Sequence, residues 1–334
     1  MRSGELIGQL VVTLVHHITA KSLDIITFQS RVCYQRGCKI MLRFEFRRFV
    51  HGSARNLSHS NPLGLPHFKA PNTKFPVKHT LAGVRNVILV SSCKGGVGKS
   101  TVSANLAVAL RGMDIKVGLL DADIFGPSIP KLMNLRGEPR LTGKGKLVPL
   151  QNYGVQTMSM GYLIPHEDSP VVWRGLMLQK VLQQLLFDVA WNDLDVLVID
   201  LPPGTGDVQI TIGQLIKVAG AVIVSTSQDL ALLDVKKGIS MLKKVKIPIL
   251  GLVENMSVFV CPNCNHKEHL FGENGVLRES EKLGVAYLGS IPLNREICTD
   301  SDTGLPVALK RDSPLAQPYY SIAEMVKQKI SGKK

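Results

Sequence analysis

The densest chemistry in the chain lies in the run Cys93-Lys94-Gly95-Gly96-Val97-Gly98-Lys99-Ser100-Thr101. An apolar stretch precedes it and a helical pattern follows. Glycines between a strand and a helix let successive backbone N–H groups turn inward around an anion, and the helix N-terminus adds its positive end. Lys99 then supplies a mobile cation for the β- and γ-phosphates of a nucleotide, and the Ser100 hydroxyl a magnesium ligand. Lys94 through Thr101 is read as a phosphate-binding loop. A plain Gly-rich turn is the simpler alternative, and the strand before and helix after argue against it.

Two carboxylate segments belong beside such a loop. Asp121-Ala122-Asp123 closes one apolar run, and Asp200 ends another, Val196-Leu197-Val198-Ile199. Ligands of open α/β sheets bind at the carboxyl ends of strands, and a carboxylate there can hold magnesium through water. One such Asp is usually a helix cap; two beside a phosphate loop point to magnesium and a nucleotide. A separate signal is Cys261-Pro262-Asn263-Cys264, followed by His266 and His269. Two thiolates two residues apart fill half of a four-ligand shell. Either the histidines complete a zinc site within one chain, or the pairs from two chains share one iron-sulfur cluster.

A sheet must carry these residues to one edge. Six aliphatic runs, 86–92, 116–122, 154–160, 195–201, 220–226 and 247–255, alternate with helical patterns at 99–111, 175–189, 207–218 and 231–245. That alternation predicts a doubly wound α/β domain, a mostly parallel sheet with helices on both faces. Composition agrees: of 334 residues, 45% are hydrophobic, 20% charged and only 5% aromatic, which excludes a collagen or a coiled coil. Six scattered cysteines, at 33, 38, 93, 261, 264 and 298, exclude a secreted disulfide framework. Cys298 is expected to be a buried thiol, and Trp173 and Arg174 to pack in the core. The domain is placed at 84–330, with a basic tail at 331–334.

The net charge of +14 is unevenly spread: residues 1–80 hold 12 Lys and Arg against 3 Asp and Glu. The remainder is close to balanced, which argues against nucleic acid as a partner. From Met41 the chain interleaves Arg43, Arg47, Arg48 and Arg55 with apolar residues, the pattern of a mitochondrial transit peptide. Residues 1–56 are read as an extension containing that peptide, and the Pro-rich stretch 57–83 as a linker. The longest early apolar run, Leu6 to Val15, is about half the ~20 residues a membrane helix needs. The expectation is a soluble protein with at most peripheral membrane contact.

The extra lysine makes the loop KGGVGKST, and here the chain resembles the MinD/ParA-type P-loop ATPases with a deviant Walker A motif. Strings spread over nearly all of residues 85–330, among them DADIFGPSIPKLMNL, DLPPGTGDVQ, NMSVFVCPNC and GSIPLNREICTDSDTGLPV, resemble the Mrp/ApbC branch, most closely its mitochondrial, NUBPL-like members. The resemblance implies a homodimer in which Lys94 reaches the partner's nucleotide. It also implies that Asp121 lies near magnesium, that Asp123 orients the attacking water and that Asn255 hydrogen-bonds the adenine. It implies a 4Fe-4S cluster bridging Cys261 and Cys264 of two chains, passed to apoproteins such as respiratory complex I subunits in the mitochondrial matrix, with slow ATP hydrolysis. A ParA-like positioning ATPase and a zinc-stabilised adaptor are the alternatives. One departure stands out: Cys93 occupies the place of a glycine, and a positive φ there would be strained.

Overall fold

The structure, a computed structural model, describes residues 78–163 and 175–332, with side chains from residue 179 onward in the second stretch. The extension at 1–56, most of the 57–83 stretch, Trp173 and Arg174 lie outside the described residues. Ten strands follow one another: β1 (Val84–Ser91), β2 (Val117–Asp121), β3 (Leu150–Asn152), β4 (Val155–Met158), β5 (Leu194–Asp200), β6 (Gly220–Ser225), β7 (Ile249–Glu254), β8 (Phe259–Val260), β9 (Lys267–Glu268) and β10 (Tyr287–Ser290). Eight form one sheet in the order β10-β7-β6-β1-β5-β2-β4-β3. All neighbours are parallel except β3 and β4. β8 and β9 make a separate antiparallel hairpin.

The helices are α1 (Lys99–Arg111), α2 (Ile129–Leu132), α3 (Gly175–Phe187), α4 (Asp207–Leu215), α5 (Asp229–Lys244), α6 (Gly275–Leu283), α7 (Arg295–Thr303) and α8 (Gln317–Ser331). They cover both sheet faces, which explains why the strands read as unbroken apolar runs. In β1, Ile88 and Val90 join one core with Leu106 of α1 and Ile322 of α8, while Val87 and Leu89 join the other with Leu185 of α3 and Ile239 of α5. Each fully buried aliphatic side chain contributes about 1.5–3 kcal/mol. The sheet is therefore a rigid base for whatever its loops carry.

All six predicted strands and all four predicted helices form, and the doubly wound architecture with them. The short elements were not predicted: β3, β8, β9, β10, α2, α6 and α7. They run two to nine residues, and α7 buries only Ile297, so their hydrophobic pattern is too thin to stand out. The chain also joins the fold before Val84. The His79 amide donates to the Leu215 carbonyl at 2.8 Å, the Lys217 amide donates back to the His79 carbonyl at 2.9 Å, and Leu81 is buried.

Register decides what meets at the sheet edge. β1 lies between β5 and β6, and in the parallel ladders Val90 pairs with Asp200, and Asp200 with Asp121. The strand that feeds the phosphate loop thus ends beside the acid-tipped β5, with the acid-tipped β2 next in the sheet.

Candidate functional site

Gly98 caps α1 in the left-handed region at φ 80°, a conformation that favours glycine. A Cβ there would also collide with the Asn255 amide. No side chain caps α1 and its first turn holds no acid, so its N-terminal N–H groups remain available to an anion. Gly95, Gly96, Val97, Gly98, Lys99, Ser100 and Thr101 line a cleft of about 650 Å³ together with Asp123 and Asn255. Its far wall is formed by Met256, Pro292, Leu293, Ile297 and Cys298.

Beneath the loop is a buried charge network. Lys99 Nζ sits 2.7 Å from Asp200 Oδ1, with side-chain exposures of 6% and 0%. The Ser100 hydroxyl donates to Asp200 Oδ2 and the Ser103 hydroxyl to Asp200 Oδ1, each at 2.6 Å. Asp121 accepts the backbone N–H groups of Asp123, Ser128 and Ile129, each at 3.1 Å, and the Ser159 hydroxyl at 3.0 Å. Burial first, and then the Asp200 charge, push the Asp121 carboxyl up to about 7. Burial likewise raises Asp123, against the pull of Lys99.

The donor set fits a magnesium ion. Two adjacent buried carboxylates lie under the loop, and only Asp200 has an ammonium partner. The Ser100 hydroxyl donates its hydrogen bond to Asp200 and accepts one from Lys99 Nζ at 3.1 Å, which leaves one lone pair of that oxygen for a cation. Asp207 stands in the first turn of α4, after the cap residue Gly206, where its charge suits the helix dipole.

Several expectations need adjusting. Cys93 is absent from the positive-φ residues, so the strain expected from losing a glycine does not arise. Its thiol instead lies against Gly238 of α5, where a Cβ would collide with Sγ. Burial, and then the Asp234 charge, raise this thiol to about 11. Cys298 is exposed at the cleft rim rather than buried, because α7 turns only Ile297 inward. Asn255 Nδ2 donates to the Val97 carbonyl at 2.8 Å, which ties it to the phosphate loop. Ser103 and Ser159 were missed. Ser103 falls one helical turn after Lys99, and Ser159 follows β4, the strand paired with β2.

The second centre is the β8–β9 hairpin. The Cys261 amide donates to the His266 carbonyl and the Asn265 amide to the Cys261 carbonyl, each at 2.9 Å. The backbone N–H groups of Cys264 and then Asn263 point at the Cys261 sulfur and lower its pKa. A thiolate so held is prepared for a metal. The histidines do not complete it: among the described residues no three His, Cys, Asp or Glu side chains gather as a metal site. His269 Nδ1–H is spent on the Ser257 carbonyl at 2.8 Å. The one-chain zinc site is thus not formed, since the hairpin points that ring at its own base. Lys94 forms no hydrogen bond or ion pair among the described residues. No described helix is long and apolar enough to cross a membrane.

Fold and loop together define a P-loop NTPase of the deviant Walker A class, carrying a paired-thiol hairpin at its nucleotide edge. Residues 83–327 match the family described as ParA: NUBPL iron-transfer P-loop NTPase, and the chain belongs to that family. It is 51% identical over 258 residues to the mouse iron-sulfur cluster transfer protein NUBPL, covering 76% of this chain and 81% of that one. It is 50% identical over 248 residues to the Arabidopsis thaliana iron-sulfur protein required for NADH dehydrogenase, mitochondrial, covering 74% and 79%. A solved nucleotide-binding protein from Archaeoglobus fulgidus, in complex with ADP and with cobalt found in it, aligns at TM-score 0.62 and 39% identity, covering 71% and 93%. The Pyrococcus furiosus cell division ATPase MinD, at TM-score 0.53 and 21% identity over 73% and 98%, shares the fold.

Two outcomes follow from this geometry. Lys99→Met strands the buried Asp200 carboxylate and is expected to cost about 3–5 kcal/mol in urea unfolding, while Lys99→Met with Asp200→Asn recovers much of that loss. Gly238→Ala is expected to cost about 1–3 kcal/mol by overpacking Cys93. In a Cys93→Gly background that cost falls by at least about 0.5 kcal/mol, read as the coupling in a double-mutant cycle.

Proposed function

We propose that two copies of this chain clasp ATP between them, hold one 4Fe-4S cluster on their paired Cys261 and Cys264, and deliver it to apoproteins. The observation that carries the proposal is the hairpin itself: two thiols two residues apart, Cys261 held by backbone N–H groups and Cys264 exposed, with no third ligand among the described residues. A cluster needs four, and a second copy supplies the rest. The relatives' names, iron-sulfur cluster transfer protein and iron-sulfur protein required for NADH dehydrogenase, support complex I subunits as recipients and the mitochondrial matrix as the place.

The same edge exposes apolar side chains suited to a partner copy. Phe125, Leu230 and Leu233 follow the carboxyl ends of β2 and β6, and Leu270 follows the hairpin. Within the cleft the loop N–H groups and Lys99 bind phosphate oxygens, and Asn255 faces the base. Asp123 holds the attacking water by accepting its hydrogen bond. Ser100, Asp121 and Asp200 would hold magnesium, which neutralises phosphate charge. Lys94, without a side-chain partner among the described residues, extends to the partner's nucleotide and offsets charge developing on the transferred phosphoryl group. Closure would bring the hairpins together and hydrolysis would release them, at a slow rate.

Anaerobic reconstitution tests the proposal. Wild-type protein is expected to be a brown dimer with four irons and four sulfides per pair of chains, the stoichiometry of one such cluster. Cys261→Ala or Cys264→Ala is expected to remove the visible absorbance and leave nucleotide binding intact. A colourless monomer holding zinc refutes it. Lys94→Ala is expected to bind ATP yet lose turnover on the order of 10²-fold; undiminished turnover removes the shared-nucleotide dimer.

A further inference from the structure

The hairpin that carries the thiols is not a free flap. Its entry strand leaves the end of β7 at Asn255, whose side chain holds the Val97 carbonyl inside the phosphate loop at 2.8 Å and whose own amide donates to the Ser225 carbonyl at 2.8 Å. Met256 follows at φ 56°, a left-handed conformation costly for a side chain of this size. Ser257 is then fixed twice to Ile291, its amide and its hydroxyl donating to that carbonyl at 3.0 and 3.1 Å. The Leu293 amide donates to the Val258 carbonyl at 2.9 Å. Leu293 and Asn255 both line the nucleotide cleft, so the entry strand is gripped from two of its walls.

The return strand has a different anchor. After β9 the chain reaches His269, whose Nδ1–H donates to the Ser257 carbonyl at 2.8 Å, while Nε2 lies 4.0 Å from Glu273. Beyond the two-residue ladder of β8 and β9, this is the bond that fastens the return strand to the entry strand at its base. A side chain two thirds covered by its surroundings, with 36% exposure, holds the hairpin closed where it meets the cleft.

We propose that His269 is the positioning residue that makes the thiol pair answer to the nucleotide: its Nδ1 bond to the Ser257 carbonyl locks both hairpin strands to the segment held by the phosphate loop. A shift of the Val97 carbonyl or of Leu293 on nucleotide binding then moves Cys261 and Cys264 as one body. Without the bond, the entry strand follows the cleft while the return strand and Cys264 remain behind. This inference rests on the nucleotide-coupled carrier proposed above and concerns an event inside one chain.

The test uses the full chain, cluster-free and reduced, alkylated with iodoacetamide in the presence or absence of ADP and magnesium. Rates are read at Cys261 and Cys264 by peptide mass spectrometry. In wild type, nucleotide is expected to change the labelling rate at the two thiols by about fivefold or more, the low end of ordinary coupling between sites. His269→Ala is expected to keep that change at Cys261 and abolish it at Cys264, with nucleotide affinity unaltered. His269→Asn, which keeps an N–H donor where Nδ1 was, is expected to retain it at both thiols, and His269→Gln, which puts the donor where Nε2 was, to lose it at Cys264. The Asn and Gln pair decides the matter if the Ala variant does not fold. A Cys264 response undiminished in His269→Gln, equally lost in His269→Asn, or absent from wild type overturns the inference. The carrier proposal fails separately, when reconstituted protein holds no iron, whatever the labelling rates do.

Discussion

Two carboxylates, Asp121 and Asp200, are side by side in a parallel ladder and buried, with one ammonium, that of Lys99, paired to Asp200. The rest of the site is arranged around that imbalance. Burying a carboxylate is costly unless hydrogen bonds and opposite charge replace the lost water. Asp121 is given three backbone N–H groups and a hydroxyl, Asp200 an ammonium and two hydroxyls. Even so, the Asp121 carboxyl rests near 7, a sign that the compensation is incomplete. A polyanion arriving with a divalent cation corrects the deficit from both sides: the cation answers the carboxylates, and the phosphates give Lys99 a second partner. The ligand-free network is thus already organised for an exchange, with Lys99 folded onto Asp200.

The sheet explains why the two centres share an edge. In a parallel sheet, every strand that is followed by a crossover delivers its loop to the same side. The phosphate loop after β1, the Asp123 loop after β2, the Asp200 loop after β5 and the long excursion after β7 therefore emerge together. The excursion after β7 begins with Asn255, on the phosphate loop, and reaches Cys261 six residues later. A chemistry of phosphates and a chemistry of thiols are joined by one short covalent path, held at both ends.

Local chemistry was legible in the sequence; encounters between distant segments were not. The phosphate loop, Asp121, Asp200 and the CPNC pair are each written in a few contiguous residues, though the spacing of the CPNC pair alone left zinc and a shared cluster both open. The six long strands were legible because burial on both faces leaves an uninterrupted aliphatic signature. Ser159 and the α7 wall were not, since each meets the site only through folding. Ser103 was overlooked although its position one turn after Lys99 is a usable signal. The consequence of Cys93 misread for the same reason: its fit depends on Gly238, far along the chain, and its backbone never enters the left-handed region. The histidines after CPNC have the spacing of ligands, yet the backbone turns His269 away toward Ser257.

Lys94 and the thiol pair both lack partners among the described residues, and both stand at that one edge. Lys94 carries a charge that no described residue balances, although it stands beside a pocket rich in acids; those acids are already committed to Lys99 and to backbone donors. The Cys261 thiol is held by backbone N–H groups beside Cys264, yet no third ligand gathers there among the described residues. Either could be dismissed alone, as a solvated lysine or an idle loop. Together they obey one constraint, because a two-fold axis that sets a patch against its own copy doubles every ligand and crosses every reaching side chain. A single association of like chains would turn two thiols into four and bring each Lys94 to the other's phosphates. A partner of unrelated shape would have to satisfy the two deficits separately, whereas a second copy satisfies both with residues the chain already has.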